Sequence, residues 1–539
     1  MRDCNRKPDK RRILQRIRNG TLLRAAPAFI QQPFDSNRPR EECGIFGIIN
    51  TVDAAQFVAL GLHALQHRGQ EAAGIVAHDP AKGFNSIRRF GYVRDSFTKA
   101  SVIGALPGTI SIGHVRYSTA GSKGNTAIRD VQPFFGELRH GGCAIAHNGN
   151  LTNADTLRRD LIDRGSIFQS SSDSECIIHL MARSRAAGIP EQLMDALRQV
   201  EGAFSVVAMT GDRLIGVRDA LGVRPLVLGR MGGNRVLASE TCALDIIGAE
   251  FDREVKPGEM VVVSADGMMS HFPFAPADPR PCIFENVYFS RPDSLYEGRS
   301  VYETRRRIGV ELAKEAFVEA DLVCPIPDSG TPAAIGFAQQ SRIPFAMGII
   351  RNQYIGRTFI EPSEQIRNIG VRLKLNVNRA LIRGKRIILV DDSVVRGTTS
   401  RKIREMIQDA GAREVHYRIA SPPTAWPCFY GVDTPRRESL LAANMSEEDI
   451  RNHLQVSSLR YISLDGLYRA CGQTQGRDPE CPAYCDACFS GDYPIEPSAT
   501  VVESRPKFSD RGPIPPAETG RDHAPGDVRI LAEPVEPSH

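Results

Sequence analysis

The stretch RIILVDDSVVRGTTS, residues 386–400, constrains the fold more than any other. An unbroken apolar run ending in two acids reads as a strand covered on both faces, the kind found in parallel sheets. The small-residue loop after it leads into a helix, and the helix phase is explicit. Ile403, Met406, Ile407 and Ala410 repeat at i, i+3, i+4 and i+7, with Gly411 at the C-terminal cap. Loop amides and the helix N-terminus form an anion site suited to a phosphate. Thr398, Thr399 and Ser400 add hydroxyls, and Asp391 and Asp392 are placed to accept from sugar hydroxyls or hold a divalent cation. The GxxxxGK[ST] pattern of a Walker loop is absent.

Around this element, strands alternate with helices from about residue 285 to 470: DLVCPIPDSG before PAAIGFAQQ, KRIILVDDS before SRKIREMIQDAGA. That rhythm predicts an α/β domain with a parallel sheet. Residues 43–275 differ. Short β-type runs such as CGIFGII, TISIGHV, CAIAHNG, AFSVVAM and MVVVSADG are separated by glycine-rich turns and amphipathic helices, which predicts a sheet-rich α+β domain. A chain of 539 residues exceeds what one core supports. The division expected is a leader at 1–42, the α+β domain at 43–275, the α/β domain at 276–470, a cysteine-rich segment at 471–492 and a Pro-rich polar tail at 493–539.

Charge sharpens the picture. Residues 1–42 hold eleven Lys or Arg against five Asp or Glu, so the net +5 of the chain resides in the leader and the remainder is near −1. This argues against a nucleic-acid footprint on the body. No apolar run reaches the roughly 18 residues of a membrane span. The leader lacks the apolar stretch of a secretory signal; its arginines leave an organellar transit peptide open, otherwise the chain is cytoplasmic. Twelve cysteines without an export signal imply reduced thiols.

The 386–400 stretch resembles the phosphoribosyl pyrophosphate (PRPP) signature of the phosphoribosyltransferases. The resemblance implies PRPP contacts from Asp391, Asp392, Arg396, Gly397, Thr398, Thr399 and Ser400. CPIPDSGTPAA, 324–334, stands where the pyrophosphate loop of that family falls, and implies Mg²⁺ at Ser329, Asp391 and Asp392. The polar segment 351–376 resembles a loop that closes over PRPP, with Arg357 and Lys374 as phosphate partners.

The first half begins at CGIFGII. Cys43 has no adjacent histidine, but a cysteine at a chain N-terminus has its own amine as base. That chemistry requires cleavage of the Glu42–Cys43 bond. AHNGNL offers Asn148 and Gly149 as oxyanion donors. GHVRYSTAG offers Arg116 for an α-carboxylate, SSSDSE offers Asp173 for an α-ammonium, and LQHRGQ offers Gly69 where backbone approaches a ligand closely. Together these motifs resemble the class II glutamine amidotransferase domain, an N-terminal-nucleophile hydrolase of αββα layers.

The two domains in this order resemble the amidophosphoribosyltransferases, from Cys43 to about residue 492. The resemblance implies that glutamine, PRPP and water give 5-phosphoribosylamine, pyrophosphate and glutamate, with ammonia passing internally. It further implies feedback inhibition by purine nucleotides and a homotetramer. Cys282, Cys428, Cys485 and Cys488 match the cluster-bearing members of the family, which implies a [4Fe–4S] cofactor. Four thiolates also suit zinc, and Cys471 and Cys481 are spare thiols nearby. Cys143, Cys176, Cys242 and Cys324 lie in apolar runs and are read as core. A non-catalytic PRPP-sensing protein is the contrasting reading, and it has no need of Cys43, Arg116, Asn148 and Asp173.

Overall fold

The computed structural model describes residues 43–117, 128–352, 374–432, 434 and 437–496. The leader, the C-terminal tail from residue 497 onward and Arg357 lie outside the described residues.

Among the described residues, the first half is built from thirteen strands. They are β1 (Gly44–Ile48), β2 (Ala72–Asp79), β3 (Gly83–Phe90), β4 (Ile110–Arg116), β5 (Phe134–Leu138), β6 (Gly141–Leu151), β7 (Gly202–Met209), β8 (Leu214–Arg218), β9 (Val227–Met231), β10 (Asn234–Ala238), β11 (Glu250–Glu254), β12 (Met260–Ser264) and β13 (Gly267–His271). One sheet runs β11-β9-β10-β1-β4-β2-β3 and the other β13-β12-β8-β7-β6-β5. All pairings within them are antiparallel.

Period-two alternation explains the layering. Ile45, Ile112, Ala144, Ala146, Val207 and Val261 point into a core between the two sheets. Phe46, Ile48, Ile75 and Val115 point the other way, onto helix α1 (Ala54–Ala64). Ile145, Val206, Ile215 and Met260 leave the opposite face of the second sheet. There they meet α3 (Glu175–Arg183) and α4 (Ile189–Leu197), which follow α2 (Ala154–Asp163). The result is αββα, as the sequence predicts.

The second half carries four parallel strands in the order β14 (Leu322–Pro325), β15 (Arg386–Asp391), β16 (Glu414–Ile419) and β17 (Ser458–Tyr461). Helices α5 (Val301–Glu315), α6 (Thr331–Ser341) and α7 (Thr398–Asp409) accompany them. Ile387 and Leu389 pack with Ile403 and Ile407 of α7, the helix face read from the sequence. The register of β14 on β15 brings the loops after Pro325 and Asp391 side by side at one sheet edge, where ligands bind in open α/β sheets.

A buried ion network joins the halves. Arg68 pairs with Glu240 and, at 2.5 Å, with Glu285. Glu240 also accepts from the Arg291 amide and the Ser294 hydroxyl, each at 2.8 Å. Burial opposes the Arg68 charge, but Glu240 and Glu285 outweigh it and hold its pKa above the ordinary value. Among the described residues no helix is long and apolar enough to cross a membrane.

Candidate functional site: a thiol site, an acid-pair loop and a four-cysteine pocket

Sheet register assembles the first site. β1 pairs with β4 so that Gly44 faces Val115, which sets Cys43 beside Arg116. The Cys43 thiol is buried and points at the Tyr117 carbonyl oxygen, 3.9 Å away. Burial pushes its pKa up to about 11; the Tyr117 contact and Arg116 pull it down, while Asp173 and Glu71 raise it. Those side chains therefore share one electrostatic neighbourhood with the thiol, as the sequence predicts for Arg116 and Asp173.

Each is held by further groups. Arg116 donates to the Asp130 carbonyl and lies 3.9 Å from Glu71. Asp173 accepts from the Leu151 amide at 2.9 Å and from the Ser174 hydroxyl at 3.2 Å. Ser174 in turn lies 2.8 Å from His147 Nδ1. Burial lowers the pKa of His147, and that of His114 to about 3, so both imidazoles are neutral near pH 7.

Asn148 and Gly149 lie in β6. Asn148 is 1% exposed, and neither its Nδ2 nor its Oδ1 has a hydrogen-bond partner among the described residues. Such groups are rare in native proteins and call for a ligand or water. Gly149 has φ +145°, and a Cβ there would stand 2.0 Å from the Ala203 carbonyl oxygen, so only glycine fits. Gly69 is held close to the protein's own backbone. A Cβ there would meet the Val115 carbonyl carbon at 2.6 Å and the Arg116 amide nitrogen at 2.7 Å. The close approach is to the chain's own strand β4.

The sequence reading missed Glu71, Asp130, Ser174 and the two histidines. For Ser174 a signal exists, since it adjoins Asp173 in a serine-rich turn. Asp130 ends a short 3-10 helix and Glu71 lies in the bend before β2, so neither segment has a periodicity to read, and only the folded chain brings them to the site.

The second site forms at the ends of β14 and β15. Asp391 and Asp392 are buried, and the Ser329 hydroxyl donates to Asp392 across the two loops. Ser393 donates to the other Asp392 oxygen at 2.5 Å, and the Asp392 amide donates to Asp391 at 3.0 Å. Gly397 precedes α7, whose first residues are Thr398, Thr399 and Ser400; Tyr417 donates to the Ser400 carbonyl at 2.8 Å. Arg396 is half-buried in the same loop and Lys374 is exposed at the edge of the described segment. The exposed Asp328 of the first loop pairs with Arg351. Burial pulls buried Arg305 of α5 down to about 10, although Asp392 opposes the shift.

Cys282, Cys428, Cys485 and Cys488 line one buried pocket together with Arg224. Backbone bonds fix its walls: Ile283 N–H to Cys485 O at 3.1 Å, Cys485 N–H to Pro281 O at 2.9 Å, and Trp426 N–H to Cys488 O at 3.1 Å. The Tyr430 amide donates to Cys428 Sγ at 3.3 Å. Burial pushes the Cys485 and Cys488 thiols well up, and the neighbouring thiols push them further. Among the described residues, no three His, Cys, Asp or Glu side chains converge as a ready site for a single metal ion. Cys471 is buried and Cys481 exposed, and neither lines the pocket. Cys143, Cys176, Cys242 and Cys324 are buried core residues.

Residues 120–245 match a family model described as a glutamine amidotransferase domain. The class is therefore a glutamine amidotransferase fused to a parallel-sheet domain that carries the acceptor site. Among curated proteins, the amidophosphoribosyltransferase of Rhizobium etli is 54% identical over 468 residues, 86% of this chain and 93% of that protein. That of Bacillus subtilis is 46% identical, covering 85% and 94%. Amidophosphoribosyltransferase 1, chloroplastic, of Arabidopsis thaliana is 48% identical, covering 87% and 81%. A solved structure of the Bacillus subtilis glutamine PRPP amidotransferase, complexed with ADP and GMP, superposes with a TM-score of 0.79. It is 44% identical and covers 84% of this chain and 98% of that one. The chain belongs to the amidophosphoribosyltransferase family. It is a glutamine-dependent pentosyltransferase that converts PRPP to 5-phosphoribosylamine, the first step of purine biosynthesis.

Proposed function

We propose that Cys43 is the nucleophile of the glutamine half-reaction, active once the Glu42–Cys43 bond is cut. Its freed amine takes the thiol proton, and the sulfur attacks the glutamine carboxamide carbon. The developing oxyanion is met by the Asn148 side-chain amide and the Gly149 N–H. Arg116 takes the substrate α-carboxylate and Asp173 the α-ammonium. Ammonia leaves, and water hydrolyses the thioester to glutamate. The unpartnered, buried Asn148 amide is the observation that carries this reading.

At the second site, the amides and hydroxyls of residues 396–400 hold the ribose 5-phosphate, and Asp391 and Asp392 the ribose hydroxyls. Arg357 and Lys374 contact the phosphates from the closing segment. Ser329 with the two acids is a hard-oxygen donor set that fits Mg²⁺. An ion held there would supply positive charge to offset that of the departing pyrophosphate.

The four-thiol pocket has a donor set suited to a [4Fe–4S] cluster, the group proposed here. The donors are all sulfur, an N–H already points at Cys428 Sγ, and buried Arg224 faces the thiols. Burial keeps the Cys485 and Cys488 thiols protonated, and a bound metal group would supply the charge that makes them thiolates. Anaerobic purification with iron and sulfide analysis tests this: zinc in place of iron overturns it.

Purine nucleotides such as those in the Bacillus subtilis complex are the proposed feedback inhibitors, and a homotetramer the proposed assembly. The proposed location is the cytoplasm. The competing location, an organelle addressed by the arginine-rich leader, is favoured by relatives named as chloroplastic.

The deciding experiment compares PRPP-dependent glutamate release with ammonia-dependent synthesis. Cys43→Ala abolishes the first and retains the second. Equal loss of both refutes the two-site reading.

A further inference from the structure

The segment that carries Cys428 does more than line the thiol pocket. It reaches across from the second half of the chain and lies directly on strand β6 at the oxyanion residues. The Asn150 side-chain amide donates to the Phe429 carbonyl at 2.9 Å. Gly431 has φ +116°, and a Cβ there would stand 3.1 Å from Gly149 Cα and 3.2 Å from its carbonyl carbon. The other flank of Gly149 is closed by the Ala203 carbonyl. Gly149 thus lies between β7, where a methyl group on Gly149 has no room, and Gly431, where a methyl group would press on the Gly149 backbone.

The clamp is itself anchored. The Tyr430 amide donates to Cys428 Sγ at 3.3 Å, the Cys428 amide donates to Thr434 Oγ1 at 2.7 Å, and the Tyr430 hydroxyl accepts from the Ile495 amide at 3.0 Å. On the far side of β6, the Leu151 amide holds Asp173 at 2.9 Å. Residues 149–151 therefore link the Cys428 segment to the side chain assigned to the substrate ammonium.

We propose that residues 428–431 are a positioning element for the oxyanion site: Gly431 and the Phe429 carbonyl fix the Gly149 backbone and thereby set glutamine turnover. The inference rests on the oxyanion role of Asn148 and Gly149 given above. It assigns to the thiol-pocket segment a kinetic role at the glutamine site, distinct from holding the fold together. A loosened clamp displaces a donor that matters most in the tetrahedral state. The effect falls on kcat, because the ground-state amide makes weaker use of the same donors.

The test uses full-length protein purified anaerobically, with the variants Asn150→Ala, Gly431→Ala and Asn148→Ala. Five quantities are read: kcat and KM for PRPP-dependent glutamate release, the rate of ammonia-dependent synthesis, the rate of Cys43 alkylation by chloroacetamide, and the inhibition constant of the aldehyde analogue of glutamine. The aldehyde adds reversibly to the thiol and places a tetrahedral oxygen in the oxyanion site. For Asn150→Ala and Gly431→Ala the expected result is a fall of about tenfold or more in glutamine kcat. The inhibition constant of the aldehyde rises in parallel, KM changes less than threefold, and the ammonia and alkylation rates stay within twofold.

Unchanged kcat in Asn150→Ala overturns the proposal, as does a parallel fall of the ammonia reaction or of alkylation. Should Gly431→Ala fail to fold, Asn150→Ala decides alone, since it deletes one neutral hydrogen bond and adds no bulk. Asn148→Ala separates the two readings. Normal glutamine turnover there refutes the oxyanion assignment itself; collapse there with a normal Asn150→Ala refutes only the positioning role.

Discussion

With the leader attached, the nitrogen of Cys43 is an amide and cannot act as a base. Burial holds the thiol pKa near 11, with the pull of Tyr117 and Arg116 too small to offset it. The sign follows directly: a raised thiol pKa means that the reactive thiolate appears only as pH climbs toward that value. At pH 7.5 the ionised fraction is about 3 × 10⁻⁴, whereas an exposed thiol of pKa near 8.5 is about one-tenth ionised. The deficit is roughly 300-fold, or about 3 kcal/mol. Alkylation of Cys43 by iodoacetamide, read by peptide mass spectrometry from pH 7 to 10, measures it. In chains that retain the leader, the rate climbs about tenfold per pH unit with no plateau by pH 10. In chains beginning at Cys43, the amine introduces an inflection near its own pKa of about 8. Labelling at pH 7.5 then accelerates at least about 100-fold, recovering most of that deficit. A plateau below pH 9 in the leader-bearing chain refutes the burial argument. Equal labelling of both chains at pH 7.5 refutes the amine as base.

Three further outcomes are expected. Arg116→Lys keeps the charge but loses the two-pronged geometry for a carboxylate, so KM for glutamine rises about 10- to 100-fold while ammonia-dependent synthesis is unchanged; an unchanged KM removes Arg116 from the substrate site. Asp392→Asn leaves the Ser329 and Ser393 hydroxyls facing an uncharged amide, and both the glutamine- and ammonia-dependent reactions fall together by about 10²-fold or more, because one charge-assisted contact to PRPP or its ion is worth about 3 kcal/mol; loss of only one reaction contradicts the assignment. Arg68→Met leaves Glu240 and Glu285 buried without their shared cation, and denaturant unfolding shows a loss of about 3–5 kcal/mol; a loss under 1 kcal/mol means the network relaxes to water.

Much of the architecture is legible in the sequence because two periodicities write it out. The apolar run ending at Asp391 is a strand covered on both faces, and Ile403 with Ile407 marks the helix side that meets it. The sandwich strands are legible for the same reason: Ile45 and Phe46 face opposite cores. Gly69 shows where such reading stops. Its sequence context suggests a ligand, and only the structure reveals that strand β4 already packs where a Cβ would stand. Glu71 and Asp130 were invisible because nothing in their own short segments distinguishes an acid folded against Arg116 from a solvated one.

What the sequence alone determined is local: which segments are strands, which loop carries the acid pair into a helix, and which glycines and polar residues stand near one another along the chain. These depend on spacing along the chain, and spacing is what a sequence states. What only the tertiary structure decided is which distant groups meet. The pairing of Gly44 with Val115 sets Cys43 beside Arg116, and the Asn150–Phe429 bond spans 279 residues. Such contacts are products of sheet register and domain packing, and those are fixed by summed burial over whole faces. No motif encodes them, and so the clamp of Gly431 on Gly149 became visible only in the folded chain.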